Sequence, residues 1–453
     1  MAPPDSIDCP GLRPDTLRGT AGGRVWLWRA AARGGPTVLS EPAARLVDAW
    51  DGRRTLGEAA QAAGVAPERA QAVHATLVGR GLALWPAGVA PPPRRPEPRR
   101  LSLWWHVTNA CNLACPHCYI ATSAGEMSDE VAARGLELVL ATCARRGLAE
   151  VEIKVAGGEP LLRRGWLERT TAAWAERLAA AGVRARFAVL TNGTCIDRRV
   201  VGLVRRLGAG ISVSLDGVGA VQDRVRPAAR GRPSFPRVAA GLEQLLDAGV
   251  TPYVLVTLSD ANADGLAALG AWLMDRGLAF RVSLERDLRG GTVRGADPVH
   301  AALDELYRAI ERRLPLGYPL LERHRLCDLS LRRPVRRACG AGETHLALGH
   351  DGRVAACQAS LDEVGRVPTD GEDLIDAARD PRLGRAAPCA ACAACPLHAA
   401  CAGGCPLLLA RREGADGQSP YCDLFRAFVP RLIELGALDW LRREAAGAAK
   451  EAG

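Results

Sequence analysis

The stretch LSLWWHVTNACNLACPHCYI (101–120) decides the fold class. Its first eight residues read as a strand, and the remainder sets Cys111, Cys115 and Cys118 in a CxxxCxxC loop at the strand's C-terminal end. Catalytic loops of β/α barrels sit at that end. Five more strand candidates lie downstream: VEIKVAG (151–157), RARFAVLTN (184–192), ISVSLDG (211–217), TPYVLVTLS (251–259) and LAFRVSLE (278–285). Helical stretches separate them, such as 128–146, where Ser128 can cap and Ala132, Leu136, Val139, Leu140 and Cys143 share one face. Strands alternating with helices argue for parallel β/α units, so the expected fold is α/β, a partial (β/α)6 barrel of the TIM type over residues 101–285. Zinc loops usually pair CxxC units to reach four ligands, whereas three thiolates leave one metal position open, which favours an iron-sulfur cluster over a zinc loop.

Composition bounds the rest. A chain of 453 residues, 48% hydrophobic and 24% charged, is too long for a disulfide-stapled scaffold and too apolar for wholesale disorder. No apolar run reaches the roughly 18 residues of a membrane span, and the first residues lack an export pattern, so a cytoplasmic protein with no membrane partner is expected. The formal charge of +9 spreads thinly. Fifteen cysteines say more, because clustered thiols in a reducing compartment bind metal or do redox chemistry.

Outside the barrel the pattern changes. Residues 86–100 (PAGVAPPPRRPEPRR) are a linker by their density of proline and arginine. Before it, GRVWLWR reads as a short strand, Ser40 and Pro42 open a helix, LGEAAQAAG and PERAQAVHATLVGRG add two more, and LALW (82–85) returns as a strand. Residues 1–85 are thus expected to form a small winged-helix-like domain. Residues 286–335 bridge to a cysteine-rich region at 336–425, in which HLALGHDGRVAAC reads as a hairpin turning at Asp351-Gly352, and 426–453 read as a terminal helix.

The CxxxCxxC loop followed by Tyr119 resembles the signature of the radical S-adenosylmethionine (SAM) superfamily. That resemblance implies that Cys111, Cys115 and Cys118 hold a 4Fe-4S cluster whose fourth iron is chelated by SAM, with Tyr119 beside the cofactor. The later strands carry similar motifs in the same order: Gly157-Gly158-Glu159-Pro160 for the methionyl ammonium, Thr191-Asn192-Gly193 and Ser214-Leu215-Asp216-Gly217 for ribose and methionyl groups, and Arg226 near the SAM carboxylate. Gln222 stands where relatives more often have histidine.

The second cysteine group resembles the SPASM domain of peptide- and protein-modifying radical SAM enzymes, which holds two auxiliary 4Fe-4S clusters, three clusters in all. By that pattern Cys339, Cys357 and Cys405 belong to the nearer one, completed by Cys327 or left open for substrate, and Cys392, Cys395, Cys401 and Cys422 to the farther. A structural zinc knot is the alternative. Cys389 is a spare, and Cys9, Cys143 and Cys195 are ordinary thiols.

Residues 51–85 carry four arginines against Asp51, Glu58 and Glu68, too little charge for a nucleic-acid reader. The N-terminal pattern instead resembles the leader-binding recognition element of enzymes that mature ribosomally made, post-translationally modified peptides (RiPPs), related to the pyrroloquinoline quinone peptide chaperone. The whole then implies a RiPP maturase with a precursor peptide and a flavodoxin or ferredoxin as partners. It would form an intramolecular carbon-carbon, thioether or ether crosslink, with Glu285, Arg286 and Gln358 as substrate-facing candidates. Alternatives are a peptide epimerase, a sulfatase maturase, whose relatives carry aspartate where Gln358 stands, and a non-catalytic electron-transfer or DNA-binding redox protein.

Overall fold

The computed structural model describes residues 9–84, 100–287, 292–293, 296–313, 319–383, 389–411 and 418–451. The linker expected at 86–100 lies outside them except for Arg100, which opens a strand.

The N-terminal part is an antiparallel sheet, β1 (Leu17–Ala21), β2 (Arg24–Trp28) and β3 (Thr37–Val38), followed by α1 (Glu41–Asp48), α2 (Leu56–Ala63) and α3 (Pro67–Gly79). Ser40 caps α1, and a Thr55/Glu58 capping box opens α2. Leu82–Leu84 do not return as a strand, since Ala83 makes only an isolated bridge with Leu12, and Trp85 of that expected strand lies outside the described residues. β1, which alternates little in polarity, pairs with β2 along its whole length instead.

Residues 100–284 form six parallel strands in sequential order: β4 (Arg100–His106), β5 (Glu150–Ala156), β6 (Arg184–Thr191), β7 (Gly210–Ser214), β8 (Tyr253–Leu258) and β9 (Ala279–Leu284). Between them run α4 (Asp129–Arg146), α5 (Arg164–Ala180), α6 (Arg198–Leu207), α7 (Ala220–Val225), α8 (Phe235–Asp247) and α9 (Leu266–Asp275). Because the order never reverses, right-handed crossovers place the helices on one side of the sheet, the arrangement of a partial barrel. Ser128 caps α4, Gly147 ends it in the left-handed region, and Ala132, Leu136, Val139 and Cys143 are buried. On this side Trp105 of β4 stacks on Trp174 of α5 with ring centroids 4.3 Å apart.

A two-residue ladder, β10 (Arg286–Asp287) with β11 (Thr292–Val293), precedes α10 (Ala296–Arg313). Both edges of the barrel sheet are then extended. β12 (His324–Leu326) pairs parallel with β9, and β13 (His345–Leu348) pairs parallel with β4, carrying β14 (Val354–Ala355) as the expected hairpin around Gly352 at φ +82°. The sheet therefore has nine strands. The C-terminal helix (Cys422–Glu451) runs back across the N-terminal sheet. Among the described residues no helix is long and apolar enough to cross a membrane.

His324 makes this extension sensitive to acid. Its ring lies against Phe280 at 4.6 Å and Tyr307 at 5.8 Å, neither nitrogen has a hydrogen-bond partner among the described residues, and burial pushes its pKa down to about 3. Between about 6.5 and 3 the unfolded chain binds a proton at this position that the folded chain does not. Stability from this group is therefore fully present above 6.5 and falls as the pH drops toward 3, at roughly 1 kcal/mol per pH unit. Denaturant titrations from pH 7 to 4 should show a steeper loss for the native chain than for His324→Phe, and equal slopes would refute the assignment.

Candidate active site

Five loops at the C-terminal ends of the strands meet around the first cysteines. The exits of β4 and β5 are joined backbone to backbone: Gly158 N donates to Thr108 O at 2.7 Å and Glu159 N to Ala110 O at 2.8 Å. A methyl on Gly157 would stand 2.4 Å from Thr108 O, and one on Gly158 2.3 Å from Ala110 O. The missing side chains at these two glycines admit the backbone of the cysteine loop itself.

Glu159 is fully buried. Its Oε1 accepts from Thr191 Oγ1 at 2.8 Å and Leu161 N at 3.0 Å, and its Oε2 accepts from Asn192 N at 2.7 Å. Burial raises its pKa to about 7 against the pull of these donors. Glu159 therefore fastens β5 to β6, with Pro160 buried at the start of the following turn. Asn192 Nδ2 in turn donates to Asn112 Oδ1 at 2.8 Å and lies 3.8 Å from Cys111 Sγ, and Asn112 Nδ2 donates to Thr194 Oγ1 at 2.8 Å. The other side of the cysteine loop is bridged at Leu113 to Ala228, just beyond Arg226.

Asp216 is the second buried carboxylate. Oδ1 accepts from Thr257 N at 2.8 Å, while Oδ2 accepts from Arg226 Nε at 2.6 Å and lies 3.5 Å from His117 Nε2. Its backbone N donates to Gln222 Oε1, and its backbone O accepts from Asn262 Nδ2. Arg226 thus stands close to Cys115, whose thiol burial pushes up to about 11 while the guanidinium pulls it down. Ser214 ends β7, half-buried. Sequence reading missed His117, Asn112 and Asn262. The first two lay in plain view within the cysteine loop, but nothing in their spacing separated them from loop residues.

A cavity of about 460 Å³ opens beside this loop, lined by His117, Cys118, Tyr119, Glu285, Arg286 and Gln358 among others. All three substrate-facing candidates line it. Arg286 is held by Asp328 at 3.0 Å and Tyr421 Oη at 3.2 Å and lies 3.7 Å from Cys405 Sγ. Gln358 Oε1 is 3.1 Å from His345 Nε2.

The later cysteines fall into two groups. Cys339, Cys357 and Cys405 lie near enough for charge on one to be felt by another, and Cys327 and Cys405 both act on Arg286. Cys327 is buried, held at φ +49°, and burial pushes it and Cys339 up to about 12. Cys392, Cys395, Cys401 and Cys422 form the second group by the same mutual influence. Cys389 Sγ accepts from Cys392 N at 3.4 Å, which makes it a cap for a short helix. All fifteen cysteines are free thiols, and among the described residues no three His, Cys, Asp or Glu side chains converge as a single metal ion would need.

Residues 105–266 match the model of the Radical SAM superfamily, a family of enzymes that use SAM and an iron-sulfur cluster, so this segment carries a radical SAM domain and the chain is an enzyme. Over 324 residues the chain is 28% identical to the mycofactocin maturase MftC of Mycolicibacterium smegmatis, covering 67% of this chain and 78% of that protein. It is 27% identical over 361 residues to the serine-type anaerobic sulfatase-maturating enzyme of Klebsiella aerogenes, covering 76% and 88%. The structure of Streptococcus suis SuiB bound to precursor peptide SuiA shares the fold, with a TM-score of 0.52 and 16% identity over 90% of this chain and 98% of that one.

Proposed function

We propose that this chain matures a ribosomally made precursor peptide by radical chemistry, forming an intramolecular crosslink. The observation that carries the reading is the cavity between the first cysteine loop and the second cysteine region, wide enough for a peptide side chain and reached by Cys118 and Tyr119 from one wall and Arg286 and Gln358 from the other. The similarity to MftC and the fold shared with peptide-bound SuiB support it.

In this reading residues 1–85 bind the leader, 86–100 link, 101–285 carry SAM, 286–335 bridge, 336–425 form a SPASM domain and 426–453 close the chain. Cys111, Cys115 and Cys118 would hold one 4Fe-4S cluster. Cys327, Cys339, Cys357 and Cys405 would hold a second, and Cys392, Cys395, Cys401 and Cys422 a third. The donor chemistry fits: these are eleven soft thiols, three of them on one loop, and none is tied up in a disulfide. When bound, the cluster and SAM supply one-electron cleavage that makes a hydrogen-abstracting 5'-deoxyadenosyl radical.

The chain's own residues position and screen. Arg226, fixed by Asp216, presents positive charge beside Cys115, suited to the SAM carboxylate. Glu159 and Asp216 act as positioning residues, since their carboxylates are taken up by protein donors. Their motifs would meet SAM through backbone and neighbouring side chains, with Thr191, Asn192 and Ser214 on the same rim. Tyr119, exposed toward the cavity, offers an aromatic face to the adenine.

Similarity to the sulfatase-maturating enzyme favours a second reading, formylglycine formation, but Gln358 is an amide bonded to His345 and cannot serve as the base which that reading requires at this position. The test is the mass of a short peptide encoded beside this gene, co-expressed with the enzyme in iron-replete cells. Loss of two hydrogens that requires the leader is the expected result. An unchanged mass would sink the crosslink for that peptide, and solvent-deuterium incorporation would then identify epimerisation.

A further inference from the structure

The exposed face of α6 gathers arginine at both ends: Arg205 and Arg206 in the last turn complement the helix dipole, whereas those in the first turn do not. Val200, Val201, Leu203 and Val204 are buried, while Arg198, Arg199, Arg205 and Arg206 are exposed. Arg198 and Arg199 occupy the first turn, where the helix dipole disfavours cations, so their placement does not serve the helix.

Neighbouring elements enlarge the patch. Arg164 of α5 pairs with Asp197, Arg206 pairs with Glu168, and Arg237 of α8 donates to Thr194 O at 2.9 Å, which brings α5, α6 and α8 into one surface. With Arg169 it holds seven arginines against the carboxylates of Asp197 and Glu168, over half of the chain's net charge of +9. Arg198, Arg199 and Arg205 have no carboxylate partner among the described residues.

This surface adjoins the first cysteine loop by a short connection. Asn112, next to Cys111, donates to Thr194 Oγ1 at 2.8 Å, and Thr194 is four residues before Arg198. The proposed chemistry consumes one external electron for each SAM cleaved, and a dense face of excess positive charge beside the cysteine loop complements an acidic protein.

We propose that the arginine face of α6, flanked by Arg164 and Arg237, is the docking surface for an acidic one-electron carrier protein that delivers reducing equivalents at the Cys111 side of the first loop. The inference rests on the radical maturase reading. The carrier is oxidised by one electron, and one SAM is cleaved for each electron received.

The test compares two reductants on the full-length holoenzyme, reduced flavodoxin and dithionite, by the yield of 5'-deoxyadenosine, and titrates flavodoxin binding at several salt concentrations. The triple variant R198E/R199E/R205E is expected to lose on the order of tenfold in flavodoxin-supported rate, together with the salt dependence of binding. Dithionite-supported cleavage should persist. Lysines at the same three positions should retain flavodoxin binding, which separates charge from folding. Unchanged flavodoxin rates, an equal loss with both reductants, or retention of a DNA duplex through these arginines without effect on flavodoxin would each overturn the docking surface. Absence of cleavage by the native chain with dithionite would instead overturn the maturase reading beneath it.

Discussion

Cys115→Ala is expected to abolish SAM cleavage, leaving 5'-deoxyadenosine at the level of an enzyme-free control, and to lower bound iron by roughly four atoms per chain. The reason is geometric. The loop from Cys111 to Cys118 is held at Asn112 by Asn192, at Leu113 by the bridge to Ala228 and at His117 beside the Asp216 carboxylate, so it cannot slide to recruit a replacement thiol. Cys195 Sγ lies 3.6 Å from Asn112 Nδ2, but it follows β6 and is not part of the loop. Iron analysis and chromatographic detection of 5'-deoxyadenosine read the two effects separately. Retained cleavage would remove Cys115 from the ligand set, and retained iron with lost cleavage would assign it another role.

Asp216→Ala should cost about 3 to 5 kcal/mol of folding stability, the usual cost of stripping one partner from a buried ion pair. Asp216 is fully buried and Arg226 nearly so, and the substitution would also leave Thr257 N without its acceptor. Chemical denaturation measures the loss. The double variant Asp216→Ala with Arg226→Met should regain part of it, because the orphaned guanidinium is then gone. If the double variant is no more stable than the single, the guanidinium finds water in the single variant and the pair is not a closed one. SAM binding separates the roles further, since the double variant is expected to regain stability without regaining SAM affinity.

Much of this architecture was legible in the residues. All six barrel strands lie where alternation and flanking turns put them, and the helix after Ser128 ends at Gly147 as its caps require. The strands that extend the sheet were less visible. β12 is three residues long, too short for any period, and β13 showed only its hairpin partner, because parallel pairing with β4 joins residues more than 240 positions apart. Within the site, residue types were legible and their targets were not. The motifs around Glu159 and Asp216 suggested ligand contacts, yet the carboxylates bind the barrel's own backbone and side chains. Such reciprocal bonding depends on how neighbouring loops fold toward each other, which a linear pattern does not carry.

The last helix crossing the first sheet has a consequence for how this protein is made. Trp26 and Trp28 share one apolar core with Leu432 and Ile433, and a methyl on Gly22 would already touch Leu438 and Leu441 at 3.5 Å. A ribosome adding roughly 5 to 20 residues per second would hold those tryptophans exposed for tens of seconds before their cover emerges. This face of the first sheet is therefore finished long after it is synthesised, and until then it is a natural client for a chaperone that shields apolar surface on nascent chains.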